Sequence, residues 1–187
     1  MGEAEWQTSE RPFDMLCHMN GKVPDEAFIP FSIACRRRVW PLFTDARSRA
    51  VIEATEAAAS GGVPWEAVWP VYDIWHRAYS NDEVDDRAGG LTNEAAESVR
   101  GLGHGHAAQV SSSCFQAAGY AASEPLRVAG APQADVTAVW RAVEEEERRA
   151  QCQLMRQMFR YLTEEGSKSA EPSAAPDRRG ITALPDS

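Results

Sequence analysis

The sequence predicts an all-α fold, namely a single-domain bundle of about six helices with a long C-terminal helix. Three observations support this prediction. Apolar residues recur at intervals of three and four along most of the chain, and glycines and prolines divide it into segments of helical length. Runs of β-branched residues that alternate with a period of two are missing. Because the connections are short, we expect neighbouring helices to be mostly antiparallel.

The first helices are predicted from their start and stop signals. Residues 3–8 predict a short turn of helix around Trp6. Ser9 followed by Arg11 and Pro12 is typical of a helix start, and Gly21 is a typical stop.

Residues 31–58 predict two helices joined by a tight corner, with a basic cluster near the bend. The first should span residues 29–40, because Pro41 cannot continue a helix. Thr44 is expected to cap the second helix, and Gly61 to close it.

An aromatic helix should follow, from Pro64 to about Tyr79, with a bend at Pro70. Residues 81–90 are acidic and predict an exposed loop, after which Thr92 can cap a short helix over residues 93–102.

The last third of the domain predicts two more helices. Residues 107–121 have helical spacing but few large side chains, and residues 124–132 indicate a turn. The final helix should begin at Gln133 or Asp135 and run to about Thr163. Its expected apolar seam consists of Val136, Val139, Trp140, Val143, Ala150, Leu154, Met158 and Leu162. Periodicity is lost from residue 166, so we expect a helical domain over residues 1–165 and a disordered tail over residues 166–187.

Composition and charge restrict the classes of function. The 187 residues carry a formal net charge of −9, which disfavours nucleic-acid binding without ruling it out. No signal peptide opens the chain, and no segment is apolar enough for a membrane span, so a cytoplasmic location is expected. The cysteines are far apart and include no C-x-x-C pair, which favours free, mostly buried thiols; they are Cys17, Cys35, Cys114 and Cys152.

The basic cluster near the corner is the first candidate site; its members are Arg36, Arg37, Arg38, Arg47 and Arg49. Three consecutive helical arginines fan over about 200°, so at least one should flank the buried stripe and need a carboxylate. One interpretation is an anion site, because guanidinium groups match phosphate and carboxylate. The alternative is pairing with internal carboxylates, for which Glu53, Glu56 and the acidic residues 144–147 are candidates.

The aromatic helix is the second candidate, as a recognition surface that includes Trp65, Trp69 and Trp75. Exposed aromatic side chains dominate binding hot spots, but aromatic side chains are also ordinary core anchors. We therefore expect most of them to be buried and one or two to lie at a rim.

No motif indicates an active site or a cofactor. His104 and His106 lie in a Gly-rich stretch, but it lacks the P-loop pattern and the spacing of a zinc site. Ser111 to Ser113 lie in a predicted helix, not in a G-x-S-x-G turn. We therefore expect a non-enzymatic protein without metal or cofactor.

Several short runs resemble a large paralogous group of uncharacterised helical proteins from planctomycete-type bacteria. They are EW at residues 5–6, CRRRVW at 35–40, DARSR at 45–49 and the stretch 146–159. This chain keeps only Cys35 where the group often has three cysteines, and Pro41 replaces a usual helix former. The resemblance implies an all-α fold and a bacterial cytoplasmic setting, and it implies no catalytic residue.

These observations lead to the hypothesis of an interaction or scaffold module that binds another protein. An anion- or nucleic-acid-binding regulator that uses the basic cluster is the alternative. Self-association through the long C-terminal helix is a further option.

Overall fold

The structure, a computed structural model, describes residues 1–81 and 104–159. Within these ranges it contains α-helices and short 3₁₀ turns, and no strand. The helices are α1 (Glu3–Thr8), α2 (Pro12–Met19), α3 (Phe28–Arg38), α4 (Ala46–Ala59), α5 (Val68–Ser80), α6 (His104–Val128) and α7 (Gln133–Met158). The prediction of an all-α fold with a long helix near the C-terminal end is therefore confirmed.

Some predictions fall on residues outside the described ranges. These are the loop that follows residue 81, the short helix over residues 93–102, the extension of the last helix beyond residue 159, and the tail over residues 166–187.

Two predictions based on prolines are wrong. No break occurs at Pro70, because it is the third residue of α5 and its missing N–H lies in the first turn, where no intrahelical partner exists. The predicted turn over residues 124–132 begins too early, since α6 continues through Pro125 to Val128. The connection that does form spans residues 129–132, with Gly130 at φ +71°.

The main core surrounds the α6–α7 hairpin. Because only four residues join these two helices, they run antiparallel, and α2 and α3 pack against them. The cluster includes Met15, Leu16, Phe31, Phe43, Ile52, Cys114, Met155 and Phe159, none of which is more than 1% exposed. This core brings the start of α2 beside the first half of α6 and beside α7.

A second, smaller core holds α5 against α4 and consists of Val51, Tyr72 and Trp75. Trp75 is fully buried, and its indole Nε1 donates a hydrogen bond to Ser48 Oγ at 3.1 Å. Since Ser48 lies on α4, this bond fixes the register of the two helices.

Candidate functional site

The three consecutive arginines of α3 have three different environments. Arg36 is 1% exposed and belongs to the interior. Arg37 donates from Nε to Glu56 Oε2 at 3.1 Å, and its guanidinium lies 4.1 Å from the centre of the Trp40 ring. The fan of side chains that the sequence predicts is therefore present, with Arg36 turned inwards.

Arg38 binds a buried carboxylate. Its Nε donates to both oxygens of Glu147, at 2.9 and 3.0 Å, and the side chain of Glu147 is only 8% exposed. The hydrogen bond to Glu147 raises the pKa of Arg38 above its usual value. The ion pair thus joins α3 to α7, as expected for the structural interpretation of the cluster.

Arg47 and Arg49 contact groups at the start of α4. Asp45 caps this helix, accepting the backbone N–H of Arg47 at 2.7 Å; the prediction of Thr44 as the cap is off by one residue. The Arg47 guanidinium also donates to Asp45, and this bond holds the pKa of Asp45 below its ordinary value. Arg49 donates from Nε to the carbonyl of Phe43 at 2.6 Å. Arg37, Arg38, Arg47 and Arg49 therefore each donate hydrogen bonds to acceptors of the chain itself.

The core contains a polar hydrogen-bond network that the sequence analysis does not predict. The Ser111 hydroxyl of α6 donates to Gln151 Oε1, and Gln151 Nε2 donates to the Ser111 carbonyl at 3.2 Å and to Glu147 Oε1 at 3.3 Å. Gln151 and Glu147 are both buried. These side chains form hydrogen bonds with one another, and buried polar groups require such partners.

The predicted apolar seam of the last helix is wrong in part, because the most buried face of α7 is partly polar. Val136 is buried as predicted, but Glu144, Glu147 and Gln151 are buried too. Six seam residues are only half-buried: Val139, Trp140, Val143, Ala150, Leu154 and Met158. Leu162 lies outside the described residues.

The tryptophans predicted as a recognition surface divide between core and rim. Trp75 is buried, whereas Trp65 and Trp69 are half-buried. On the outer side of α5, Ile74 is 54% exposed and Tyr79 is 37% exposed. The aromatic helix is therefore mainly a core element.

A groove between the start of α2 and the α6–α7 hairpin carries both aromatic and charged side chains. We call it the Phe13 groove. It encloses about 450 Å³ and is lined by Glu10, Arg11, Pro12, Phe13, Ala108, Ser111, Ser112, Phe115 and Arg148. No single helix forms it, because residues 10–13, α6 and α7 each contribute a wall. Sequence periodicity could not indicate it for that reason.

Phe13 and Phe115 are the aromatic side chains of this groove. Phe13 is 63% exposed, unusually open for a phenyl ring, while Phe115 is half-buried. The guanidinium of Arg148 lies 4.5 Å from the centre of the Phe115 ring and donates to Glu144 Oε1 at 2.7 Å. Stacking and this hydrogen bond both restrict the position of Arg148.

A second groove, also about 450 Å³, lies between α3 and α4. Its lining includes Ile33, Ala34 and Ala59, and the ion pair between Arg37 and Glu56. This surface is more open, and none of its described lining residues is aromatic. It offers a partner fewer distinctive contacts than the Phe13 groove.

The cysteines are poor nucleophiles where they are buried. Burial raises the pKa of the Cys35 thiol well above its ordinary value and that of Cys152 to about 11. Both are therefore protonated near neutral pH. In residues 1–81 and 104–159, no three His, Cys, Asp or Glu side chains converge in a way that could hold a metal ion.

Comparisons with known proteins return no match, whether with family models, with curated proteins or with solved structures. The resemblance of the EW, CRRRVW and DARSR runs to the planctomycete group therefore stays a prediction. Among the described helices, none combines the length and the apolar character that a membrane crossing requires.

Proposed function

We propose that this chain is a non-enzymatic helical protein that binds a segment of another protein in the Phe13 groove. The observation that carries the proposal is the 63% exposure of Phe13 at the edge of a concave surface. An exposed phenyl ring gains free energy when a partner covers it. Aromatic and arginine side chains are also the residue types that contribute most to binding hot spots.

The groove is better suited to binding than to chemistry. Its lining has hydroxyl groups, but that of Ser111 donates to Gln151, and no histidine, lysine or cysteine is among the described lining residues. A nucleophile needs an adjacent base, and the Ser111 hydroxyl instead donates to an amide oxygen, which is not one.

The basic cluster gives less support to the alternative, an anion- or nucleic-acid-binding regulator. Arg37, Arg38 and Arg47 donate to Glu56, Glu147 and Asp45, so an added anion would have to compete with carboxylates already in place. The net charge of −9 adds a long-range repulsion of nucleic acid.

Site-specific photo-crosslinking of the full chain tests the proposal. A benzoylphenylalanine at position 13 replaces one aromatic side chain with another, and the same group at Tyr120, which is 60% exposed outside the groove, is the control. We expect a discrete covalent product from position 13 and none from position 120. The captured protein, identified by mass spectrometry and purified, should bind the natural chain in calorimetry and lose at least tenfold in affinity with Phe13→Ser.

Two results would contradict the proposal. One is an equal yield of products from both positions; the other is an unchanged affinity for Phe13→Ser. A product that consists of two copies of this chain would instead indicate self-association, which sedimentation velocity of the unmodified chain would detect independently.

A further inference from the structure

The groove between α3 and α4, which we call the α3–α4 groove, is apolar over most of its lining. It encloses about 450 Å³, and its apolar lining consists of small and aliphatic residues from both helices: Pro30, Ile33, Ala34 and Ala59. Its charged lining residues, Arg37 and Glu56, form an ion pair with each other. An occupant that matches this groove therefore brings apolar side chains and no charge.

The end of α7 lies close to the start of α3. The described chain ends at Phe159, whose ring centre lies 5.8 Å from that of Phe28, the first residue of α3. One turn earlier, Arg156 donates to the carbonyl of Trp6 at 3.2 Å and to that of Ser9. These contacts fix the point from which residues 160–187 continue.

The α3–α4 groove begins near this point, because Pro30 follows Phe28 by two residues. The Cα atoms of Phe159 and Pro30 are at most about 20 Å apart, since two phenyl side chains, the ring separation and one short step along α3 join them. Six extended residues span about 20 Å, and long side chains shorten the path further. The near end of the groove is therefore within reach of residues 160–165.

The sequence places large apolar side chains within this short segment. Tyr161 and Leu162 are the second and third residues after Phe159. From residue 163 to residue 180 the sequence contains no aliphatic residue larger than alanine or proline and no aromatic residue, and the next is Ile181. Only Tyr161 and Leu162 therefore combine apolar surface with a short connection to the end of α7.

We propose that residues 160–165 of this chain occupy the α3–α4 groove, with Tyr161 and Leu162 packed against Pro30 and Ile33. The contact removes apolar surface from water on both sides, and the short connection gives this segment a high effective concentration at the groove. The segment then ties the end of α7 to α3 and to the end of α4. This surface is separate from the Phe13 groove, so the inference goes beyond the proposed function and does not depend on it.

Intrachain photo-crosslinking of the full chain tests the inference. Benzoylphenylalanine replaces Tyr161 in one protein and Leu184, near the end of the sequence, in the control. Fragment mass spectra locate the product, and a mixture of ¹⁵N-labelled and unlabelled chains separates products within one chain from products between two. We expect position 161 to react within its own chain with residues 30–34 or 59–60, and position 184 to give no such product.

Several results would overturn the inference. They are a product from position 161 at any other place in the chain, the Phe13 groove included, a product between two chains, no product at all, or equal yields from positions 161 and 184.

A variant that fills the groove tests the location independently. Ala59 is exposed and lines the groove, so Ala59→Arg should place a long side chain there and lower the yield of the position-161 product about fivefold or more. Ala138→Arg makes the same change at an exposed position of α7 outside the described lining and should leave the yield unchanged. An unchanged yield in Ala59→Arg would overturn the inference.

Two-dimensional NMR of the ¹⁵N-labelled full chain tests the contact without a crosslinker. Leu162→Ser should shift the amide signals of residues 30–34 and 57–60, because the groove loses an apolar occupant. Leu184→Ser, which makes the same change outside the proposed segment, should leave those signals in place. Unchanged signals in Leu162→Ser, or equal shifts in both variants, would overturn the inference.

Discussion

Glu147 shows how a buried charge can organise this bundle at the level of single residues. Its carboxylate accepts two hydrogen bonds from Arg38 and one from Gln151, so helices α3 and α7 meet at a satisfied polar contact. Such a pair adds little net stability compared with apolar packing, but breaking it is costly. We therefore expect its main contribution to be a preference for one register of α7 over the alternatives.

Glu147→Gln should therefore destabilise the protein while keeping the shape of the side chain. We expect the free energy of unfolding to fall by about 1–3 kcal/mol, because the Arg38 guanidinium loses its anionic acceptor and is only partly exposed to water. Urea denaturation followed by circular dichroism measures it. Glu146→Gln, an exposed neighbour, is the control and should change stability by less than about 0.5 kcal/mol. Equal changes in the free energy of unfolding for the two variants would show that the buried ion pair contributes no more to stability than an exposed carboxylate.

Gly119 is a second residue whose identity is fixed by its neighbour. A methyl group there would overlap the Trp140 indole and lie 2.9 Å from the Trp140 carbonyl oxygen. We expect Gly119→Ala to lower the free energy of unfolding by about 1–3 kcal/mol, because the added methyl group forces α6 and α7 apart. This loss should exceed the gain from the better helix propensity of alanine. The midpoint of urea unfolding should fall with an unchanged m-value.

Gly105→Ala is the matched control, since Gly105 lies in the same helix with open space around its Cβ position. It should leave stability unchanged or raise it by up to about 1 kcal/mol. If both variants were stabilising, the close approach at Trp140 would not limit the packing of the hairpin.

At the scale of elements, some helix ends are predicted correctly from local signals in the sequence. Pro12 begins α2, and Gly21 and Gly61 have positive φ just after α2 and α4, as their residue types indicate. These signals are local, because capping and chain reversal depend on a few adjacent residues. The interruptions predicted at Pro70 and near Pro125 failed, since position within a helix decides whether a proline is tolerated.

The Phe13 groove and the polar network could not be predicted in the same way. Arg38 and Glu147 are 109 residues apart, and Ser111 and Gln151 are 40 apart, so only the packing of helices joins them. The sequence places residues 144–147 among the candidate partners of the arginines, but it does not identify which pair forms. The apolar pattern of α7 is also interrupted by three buried polar residues, Glu144, Glu147 and Gln151. A seam predicted from apolar residues alone therefore misses this buried polar face.

The cap of α4 gives an element-scale prediction about pH. The pKa of Asp45 is lowered in the folded state, first by the hydrogen bond from the Arg47 guanidinium. A lowered folded pKa means that the charged carboxylate stabilises the fold above the unfolded pKa of about 3.9, and that this stabilisation is lost as the pH falls through the folded value. Asparagine also caps helices but carries no charge, so Asp45→Asn isolates the effect of the charge.

We expect Asp45→Asn to be less stable than the natural chain by about 0.5–1 kcal/mol at pH 7. The difference should shrink as the pH falls from the unfolded pKa of about 3.9 through the lower folded pKa, because the natural carboxyl group then becomes protonated as well. Urea unfolding of both proteins from pH 7 down through this acid range measures the difference directly. A difference in stability that does not shrink as the pH falls would show that the Arg47 contact does not depend on the charge of Asp45.

At the scale of the whole molecule, the described residues have one main core and one satellite. The main cluster joins α2, α3, α6 and α7, whereas the smaller cluster of Val51, Tyr72 and Trp75 holds α5 mainly through α4. A helix that rests on few buried contacts can open without global unfolding. Amide hydrogen exchange should therefore be faster in α5 than in the buried parts of α3 and α6.

Trp75→Leu should increase this difference in amide exchange rate between α5 and the main core. The substitution removes most of the satellite core and leaves Ser48 without its indole donor, so α5 amides should lose at least tenfold in protection. Protection in α6 should change less than twofold, because Trp75 lies outside the main cluster. Phe31→Leu, at a fully buried position of that cluster, is the control and should lower protection in both regions. An equal loss in α5 and α6 for Trp75→Leu would mean that the two cores unfold as one cooperative unit, with α4 transmitting the loss to α3.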